Sequence, residues 1–513
     1  MKSFPSLYFT YDKSQCQTSF RREIIMNESP LSLKKDPLFT HKQIFSIILA
    51  IIVFSVLFFM PNPEGITIEA QKSLAVFVFA LIMWIGKPIP IHLTSIIVIL
   101  LLPLIGAVED QEIAFGTLGF DIIWLMVSAF VLTSAMSETN LGKRIALNLL
   151  TKFGKTPAHT LSVLIIVNIV LAFFVPSTTA RASLLVPIVL VLLEVYKATP
   201  GESNFGKLVT LQGVQTNAYA TSMVLTATSA QVLALGFINQ QTTSNVGYMT
   251  WLLGSIPQAI LTAFITLLIG MKLFNFKKEI PTGDQAKKIS EILKKQLADL
   301  GKFSIREKKA AFIFFITLFL WATGDYHEAI MGFEISTEQT AVIAMLLCFL
   351  PGIGILKWKE ADIKWDLMIF SAGAYAAGNA LNDSGGASFL IDNLVNSIGL
   401  DRLNQNLVAV ILIVITVFSH LIFTSKTVRT TILIPAIITL AQSLGMDAAM
   451  LALACSFGIA YTITLPPHSK VNTLYFGTGY FTVWDELKYG LISCAVGSVA
   501  ISLVYFLWLP IIM

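Results

Sequence analysis

The chain has 513 residues, of which 55% are hydrophobic and only 13% are charged, and its formal net charge is +4. A soluble domain carries about 25% charged residues, so the composition excludes a soluble globular protein, and nothing in it suggests nucleic-acid binding. Four widely spaced cysteines show neither a disulfide framework nor metal-ligand spacing: Cys16, Cys348, Cys455 and Cys494.

Apolar runs of membrane-spanning length recur along the chain. Residues 1–42 precede them as a polar tail that lacks the pattern of a signal peptide. Predicted spans lie near 43–60, 72–86, 88–108, 120–138, 209–238, 250–273, 310–323, 338–356, 366–382, 447–478 and 487–512. We therefore predict an all-α polytopic membrane protein, because lipid offers no partners to open backbone groups.

Two further apolar stretches, 158–196 and 406–444, are each interrupted by a polar, threonine-rich patch. Each is too long for one helix and too short for two full spans, so we predict re-entrant hairpins whose polar tips lie inside the membrane. The basic segment Lys277 to Lys309 predicts a cytoplasmic linker, whereas loops 61–71, 107–119 and 324–337 carry acids but no Lys or Arg. About eleven spans then place the N-terminus inside and the C-terminus outside.

The sequence also repeats itself. "FDIIWLMVSAFVLTSAMSETN" from Phe120 is similar to "WDLMIFSAGAYAAGNALNDSG" from Trp365, and "PSTTARASLLVP" from Pro176 is similar to "TSKTVRTTILIP" from Thr424. Five spans and one hairpin in each half give the halves opposite orientations, as in the inverted repeats of secondary transporters. The predicted segments are 1–42 (cytoplasmic tail), 43–71 (first span and outer loop), 72–273 (first half), 274–308 (cytoplasmic linker) and 309–513 (second half).

Each half offers a hairpin tip and an interrupted helix, "TATSA" from Thr226 in the first half and "TLPPHSKVNT" from Thr464 in the second. Four cations fall in these segments without obvious acidic partners: Arg181, Lys426, Arg429 and Lys470. Unpaired charge within a membrane marks a site or pathway, and a bound polyanion would balance it. Alternatively, the two arginines bind backbone carbonyls and brace the hairpins, and His468 is a wall residue or a proton carrier.

At these residues the chain resembles the divalent anion/sodium symporter family, which transports dicarboxylates, citrate and sulfate. The resemblance covers about residues 43–513 and is carried by the tips Ser177–Thr179 and Ser425–Thr427 and by the run "HSKVNTLYFGTGY". It implies a homodimer in the cytoplasmic membrane, a transport domain that moves like an elevator, and carboxylates held by two Ser-Asn-Thr tips, with sodium beside them in many members.

The sequence departs from the family at the middle of both tips, where Thr178 and Lys426 replace asparagine. A lysine ammonium repels sodium, so we expect exchange or proton coupling rather than full sodium coupling. Lys470 also departs from the family, which has a proline there. We predict a substrate site lined by Ser177, Thr178, Thr179, Ser425, Lys426 and Thr427, with Ser469 and Lys470 supporting it or touching the anion. Arg181 and Arg429 would be supporting cations, and Ser177, Thr178, Thr228 and Ser229 a candidate first-half sodium site.

The expected function is secondary transport of small di- or tricarboxylates, without an organic cofactor and with sodium or a proton as the candidate coupling ion. A sodium-coupled transporter of sulfate or another oxyanion with the same fold is the alternative. An anion channel fits less well, because the discontinuous helices converge on one site rather than line a lumen. An enzyme is not expected, since no HExxH and no nucleophile–base spacing is present.

Overall fold

The computed structural model describes residues 40–154, 156–275, 285–399 and 402–513. Within these ranges the regular secondary structure is helical and no strand is present. The predicted tail, apart from residues 40–42, lies outside the described residues, and so does Cys16.

We number the helices of seven or more residues α1 to α20. The first ten are α1 (His41–Phe59), α2 (Ile68–Gly86), α3 (Ile91–Leu104), α4 (Asp121–Ser137), α5 (Leu141–Phe153), α6 (Pro157–Phe174), α7 (Thr178–Val195), α8 (Asn204–Met223), α9 (Ser229–Gln241) and α10 (Tyr248–Phe274). The others are α11 (Gln285–Asp299), α12 (Ile305–Ala322), α13 (Thr337–Phe349), α14 (Trp365–Asp383), α15 (Gly386–Ile398), α16 (Gln405–Phe418), α17 (Lys426–Ser443), α18 (Ala448–Ile459), α19 (Lys470–Phe476) and α20 (Val483–Leu507).

Six helical stretches in the described part are long and apolar enough to cross a membrane: His41–Phe59, Ile68–Gly86, Gln111–Ser137, Thr178–Val195, Tyr248–Phe274 and Val483–Leu507. Several predicted spans are shorter helices. The run at 88–108 contains only the 14 residues of α3, because Pro103 lies in its last turn and Gly106 takes a left-handed conformation, with φ +67°. The structure is that of an all-helical, polytopic membrane protein.

The order of helices in α2–α10 is repeated in α12–α20, with the linker helix α11 between them. The two sets exchange packing partners. Helix α3 packs against α14 while α13 packs against α4, and α9 packs against α17 while α19 packs against α7. Helices α10 and α20 pack against each other. Apart from the α10–α20 contact, each of these contacts between the two sets therefore occurs twice, with the partners exchanged.

The apolar stretches predicted as hairpins each contain two helices. In the first, α6 and α7 are separated by residues 175–177, and in the second, α16 and α17 are separated by residues 419–425. The second helix of each stretch contains a proline, Pro187 in α7 and Pro435 in α17. Proline weakens the local hydrogen-bond ladder of a helix, so the same irregularity occurs at matching places in both sets.

Two predicted long helices are interrupted in the middle, as the "TATSA" and "TLPPHSKVNT" patches indicated. The first is broken at 224–228 between α8 and α9, and the second at 460–469 between α18 and α19. Pro466 and Pro467 lie in the second break, where they cannot donate backbone hydrogen bonds. Both breaks lie beside the hairpin helices, which positions the candidate site.

Part of the predicted linker lies in residues 276–284, outside the described residues. The described part forms α11, which packs against α5. Beside it, Arg144 of α5 reaches the first turn of α12, where its Nε donates to the Glu307 carboxylate at 2.8 Å. Arg144 also donates to the Gly301 carbonyl at 3.1 Å. These contacts link α5, in the first set of helices, to the start of α12, in the second set.

Candidate functional site

The first hairpin tip and the first helix break share a cavity of about 140 Å³. Ser177 caps α7 by accepting a hydrogen bond from the backbone N–H of Ala180 at 3.3 Å. Thr228 precedes α9 without capping it through its side chain. The hydroxyl-bearing residues of the lining are Ser177, Thr178, Thr226, Thr228 and Ser229. The structure therefore brings together all four residues of the candidate first-half sodium site.

Arg181 lies in the first turns of α7 and is fully buried. Its Nη1 donates to the Val175 carbonyl at 3.1 Å, and its Nη2 donates to the Thr221 hydroxyl at 2.5 Å. The same nitrogen lies 3.4 Å from both oxygens of Asn217, whose side-chain amide donates to the Thr178 carbonyl at 3.1 Å. The guanidinium thus joins the hairpin tip to α8, and Nε alone lacks a partner among the described residues.

The second hairpin tip places an unpaired cation at the start of α17. Ser425 caps this helix by accepting from the backbone N–H of Val428 at 3.4 Å, and its hydroxyl lies 3.1 Å from that of Thr427. Lys426, between them, is partly buried. Among the residues that the structure describes, the Lys426 ammonium has no hydrogen-bond or ion-pair partner.

Arg429, one turn further along α17, is fully buried and satisfied by the protein itself. Its Nε donates to the Ser419 hydroxyl at 2.7 Å and its Nη2 to the Thr416 carbonyl at 2.7 Å. Its Nη1 donates to the carbonyls of Ile459 and Tyr461, at 3.0 and 3.2 Å. These carbonyls belong to the ends of α16 and α18, so Arg429 closes off backbone acceptors that a broken helix leaves free.

The second break is held by one amide. Ser469 caps α19, and its hydroxyl donates to Asn472 Oδ1 at 2.5 Å. The Asn472 amide nitrogen donates to the carbonyls of Thr462 and Leu465, at 2.8 and 3.0 Å. Lys470, the first residue of α19, is exposed, so it differs from the prediction of a cation buried at membrane depth.

Two histidines connect the second tip to the second break. His420 Nδ1 donates to the Val417 carbonyl at 2.8 Å, so in a neutral ring Nε2 accepts from the Thr464 hydroxyl at 2.9 Å. The Thr464 oxygen then accepts from His468 Nδ1 at 3.0 Å. This series of hydrogen bonds is complete with both rings neutral.

The two halves of the site touch. The Thr430 hydroxyl of α17 donates to the Ala230 carbonyl in the first turn of α9 at 3.2 Å. Thr179 lies half-buried in the first turn of α7, the helix that packs against α19. The four helix N-termini of α7, α9, α17 and α19 therefore start at the tips and breaks of one contiguous region. Helix N-termini present free N–H groups and favour anions.

Residues 41–513 match the family described as the sodium:sulfate symporter transmembrane region. The chain belongs to this family. It is 26% identical over 492 residues to a sodium-dependent dicarboxylate transporter, SdcS, of Staphylococcus saprophyticus, covering 92% of each chain. It is 24% identical over 511 residues to a citrate/succinate antiporter of Escherichia coli K12, covering 94% of this chain and 99% of the relative. A membrane protein of Cupriavidus necator is 26% identical over 492 residues, covering 91% of this chain and 93% of the relative.

This member of the symporter family is a membrane transporter and not an enzyme. Among its described residues, no group of three or more His, Cys, Asp or Glu side chains is placed to hold a metal ion. Sodium is commonly bound by hydroxyl and carbonyl oxygens, which the first-half cavity supplies from Ser177, Thr178 and Thr228. The second tip offers a lysine ammonium where an oxygen-rich site would be needed.

Sequence reasoning missed the amides that hold this transporter's tips and breaks. Asn217 accepts a hydrogen bond from Arg181, and Asn472 donates one to a backbone carbonyl of the second break. A signal for the first exists, because α8 carries a run of buried polar side chains within an apolar span: Gln212, Gln215, Thr216, Asn217, Thr221 and Ser222. Asn472 is not part of such a run of buried polar side chains. Its contacts depend on the conformation of the preceding helix break.

Proposed function

We propose that this protein transports small di- or tricarboxylates across the cytoplasmic membrane by exchange or proton coupling. The proposal rests on the unpaired ammonium group of Lys426. It lies at the tip of the second hairpin, partly buried, with no partner in the described part of the chain. A desolvated charge without a partner is costly, and an anionic substrate at the tip would compensate it. The names of the relatives, which specify dicarboxylates and citrate, favour carboxylates as that anion.

The contacts of the two arginines narrow the source of substrate affinity. Arg181 and Arg429 are engaged by the protein's own carbonyls, hydroxyls and amides. They add positive potential but have few donors left for a ligand. We therefore assign direct contact to Lys426 and to the hydroxyls of Ser177, Thr178, Thr179, Ser425, Thr427 and Ser469, with Lys470 at the exposed edge of the site.

Lys426 also supports a coupling mode that does not need sodium in the second half. An ammonium fixed at the tip supplies one positive charge in every transport cycle, whereas a sodium ion must bind and leave. A carrier with such a fixed charge returns most readily with another anion bound. The first-half cavity, with Ser177, Thr178, Thr228 and Ser229, is the remaining place for a cation.

The reciprocal packing of α2–α10 and α12–α20 supports an inverted repeat. We propose that the hairpins and broken helices form a transport domain that moves as an elevator within a homodimer. The basic cluster at α5 and α11 would then lie inside, together with the N-terminus, and the C-terminus would lie outside.

The test is uptake of labelled succinate, citrate and sulfate into proteoliposomes, with and without sodium and with and without internal dicarboxylate. The unmutated protein is compared with Lys426→Asn, which restores the residue the family resemblance implies. Lys72→Asn is the matched control, because Lys72 is also partly buried but donates to the Gly106 carbonyl, at 3.4 Å, away from the tips.

We expect succinate or citrate uptake that requires internal dicarboxylate or a proton gradient and ignores sodium. Lys426→Asn should lose this uptake, and Lys72→Asn should keep it. Sodium dependence of the unmutated protein would contradict the coupling mode. Uptake of sulfate without uptake of either carboxylate would contradict the substrate class.

A further inference from the structure

Glu486 is a buried acid that takes no part in the candidate site described above. It lies in the first turns of α20, a helix that crosses the membrane, and its side chain is only 1% exposed. Both carboxylate oxygens lack a hydrogen-bond partner among the described residues. An ionised carboxylate in this position would be very costly, so burial favours the neutral, protonated form of the acid.

The charged groups near Glu486 in the described part of the chain form no ion pair with it. Lys207 of α8 lies 3.7 Å from Asp485, the neighbouring residue, and makes no ion pair with Glu486. The Tyr489 hydroxyl, one turn along α20, lies 2.8 Å from Gln212 Oε1 and 2.7 Å from the Thr266 carbonyl oxygen, and its one proton is directed to these acceptors. Helix α20 packs against α8, α10, α16 and α18. The other ionisable side chains of these helices form no hydrogen bond to Glu486 within the described ranges: Tyr219, Tyr248, Lys272 and Cys455.

The side chain that faces Glu486 is Asn472, the amide that holds the second break. Both of its N–H groups are engaged, by the carbonyls of Thr462 and Leu465. An ionised Glu486 would attract one of these N–H groups and release a carbonyl. Asn472 also accepts a hydrogen bond from Ser469, a predicted substrate residue. A change of charge at Glu486 would therefore be transmitted through Asn472 to the substrate site.

The packing of α20 brings the same helix turn against the break itself. Gly490, one turn after Glu486, touches the backbone of residues 463 and 464 so closely that a side chain could not fit. A shift in this part of α20 therefore moves the break, and a shift of the break moves α20.

We propose that Glu486 binds the proton that is transported with the anion. The proton adds to the carboxylate on one side of the membrane, which lets Asn472 hold the break closed around the substrate. It leaves from the same oxygen on the other side, and the break loosens. This inference rests on the proposed function, and it selects proton coupling from the two modes given there.

The pair His420 and His468, which Thr464 bridges, is the other candidate proton carrier, but its geometry is less suitable for binding a proton. Every hydrogen bond from His420 through Thr464 to His468 is satisfied with neutral rings. The charged groups that face this pair are Arg429 and Lys426 of α17. A third positive charge beside these two cations is disfavoured, whereas a proton on Glu486 removes a charge rather than adding one.

The experiment uses the full-length protein in proteoliposomes with a trapped pH-sensitive dye. Glu486→Gln keeps the size and the neutral state of the protonated acid, so it should retain succinate counterflow at equal pH. It should lose accumulation driven by an inward proton gradient, and succinate should no longer carry protons inward. One pH unit supports roughly tenfold accumulation for one coupled proton. Glu486→Asp, which can still hold a proton, should restore proton-driven accumulation at least in part.

His468→Asn is the matched variant for the competing carrier, and it should keep proton-driven accumulation. Accumulation that persists in Glu486→Gln, or that disappears in His468→Asn while counterflow remains, would overturn the assignment. Net succinate uptake by the unmutated protein that is accompanied by no inward proton movement would also overturn it and leave the proposed function intact.

A measurement independent of transport separates the two proposals. The infrared spectrum of the purified protein should contain a carboxylic-acid C=O band that is absent from Glu486→Gln. If the unmutated protein shows no counterflow, the proposed function fails, while this band still reports whether Glu486 is protonated. Absence of the band from the unmutated protein would overturn the inference alone.

Discussion

Replacing Arg429 of α17 by methionine should lower the stability of the protein. Replacing Lys426 of the same helix by methionine should abolish transport without lowering stability. Arg429 is the donor to the carbonyls of Ile459 and Tyr461, whereas Lys426 has no partner in the described structure. A buried acceptor that loses its donor costs about 1 to 3 kcal/mol. Two such carbonyls give about 2 to 6 kcal/mol for Arg429→Met, toward the lower end because the burial cost of the guanidinium disappears as well. Lys426→Met breaks no contact and removes a desolvated charge that has no partner, so it should not lower the stability.

Thermal unfolding in detergent measures the first effect. The thiols of Cys348, Cys455 and Cys494 are buried and free, so a thiol-reactive dye reports their exposure on unfolding. Because unfolding of this kind is commonly irreversible, the variants must be compared at one scan rate. Succinate exchange in proteoliposomes measures the second effect.

We expect Arg429→Met to lower the unfolding temperature clearly. Lys426→Met should leave it unchanged or raise it, because a costly charge is removed, and should abolish exchange. Arg429→Lys extends the test, because it keeps the charge but loses the fork that reaches several acceptors; it should be destabilised like the methionine variant. If Lys426→Met unfolds as early as Arg429→Met, the lysine has a structural partner and the reasoning is wrong.

Two further predictions concern the framework around the site. Gly490→Ala should lower stability by about 1 to 3 kcal/mol and slow transport, because its methyl group overlaps the backbone at 463–464; Gly116→Ala, which meets nothing within 4 Å, is the control, and equal effects of the two would contradict the close approach. In a double-mutant cycle on unfolding, Arg144→Ala and Glu307→Gln should show a coupling of about 1.5 to 3 kcal/mol, since the pair is charge-assisted and Glu307 is only 3% exposed; additive losses would show that the 2.8 Å contact contributes little.

The hairpin tips and the breaks were predictable because local chemistry determines them. Serine is a preferred N-cap residue, and Ser177 and Ser425 cap α7 and α17. Prolines and clustered threonines interrupt an apolar run in a way that the sequence shows directly. The long apolar runs likewise predicted an all-helical membrane protein, which the helices and the family match confirm. The inverted repeat and the homodimer stay predictions.

The roles of the charged residues were less accessible, because their partners are distant in sequence. Arg429 meets carbonyls some thirty residues later in the chain, at Ile459 and Tyr461, which no local pattern indicates. Glu486 follows Asp485 in the first turn of α20, where acids usually interact with the helix dipole and solvent. Its burial arises from the packing of α19 and the second break, which a single sequence does not reveal.

The matching positions of the two tips show which features the repeat keeps and which it varies. Both tips keep a capping serine and an arginine four residues later, and in both the arginine binds backbone carbonyls of its own half. The middle residue differs, with Thr178 in the first half and Lys426 in the second. In both cases the arginine donates to carbonyls near the ends of neighbouring helices, so the same contact recurs at the two tips. Because both arginines are engaged by the protein itself, whereas Lys426 has no partner among the described residues, an anion at the tips would meet one free positive charge, supplied by the second tip alone.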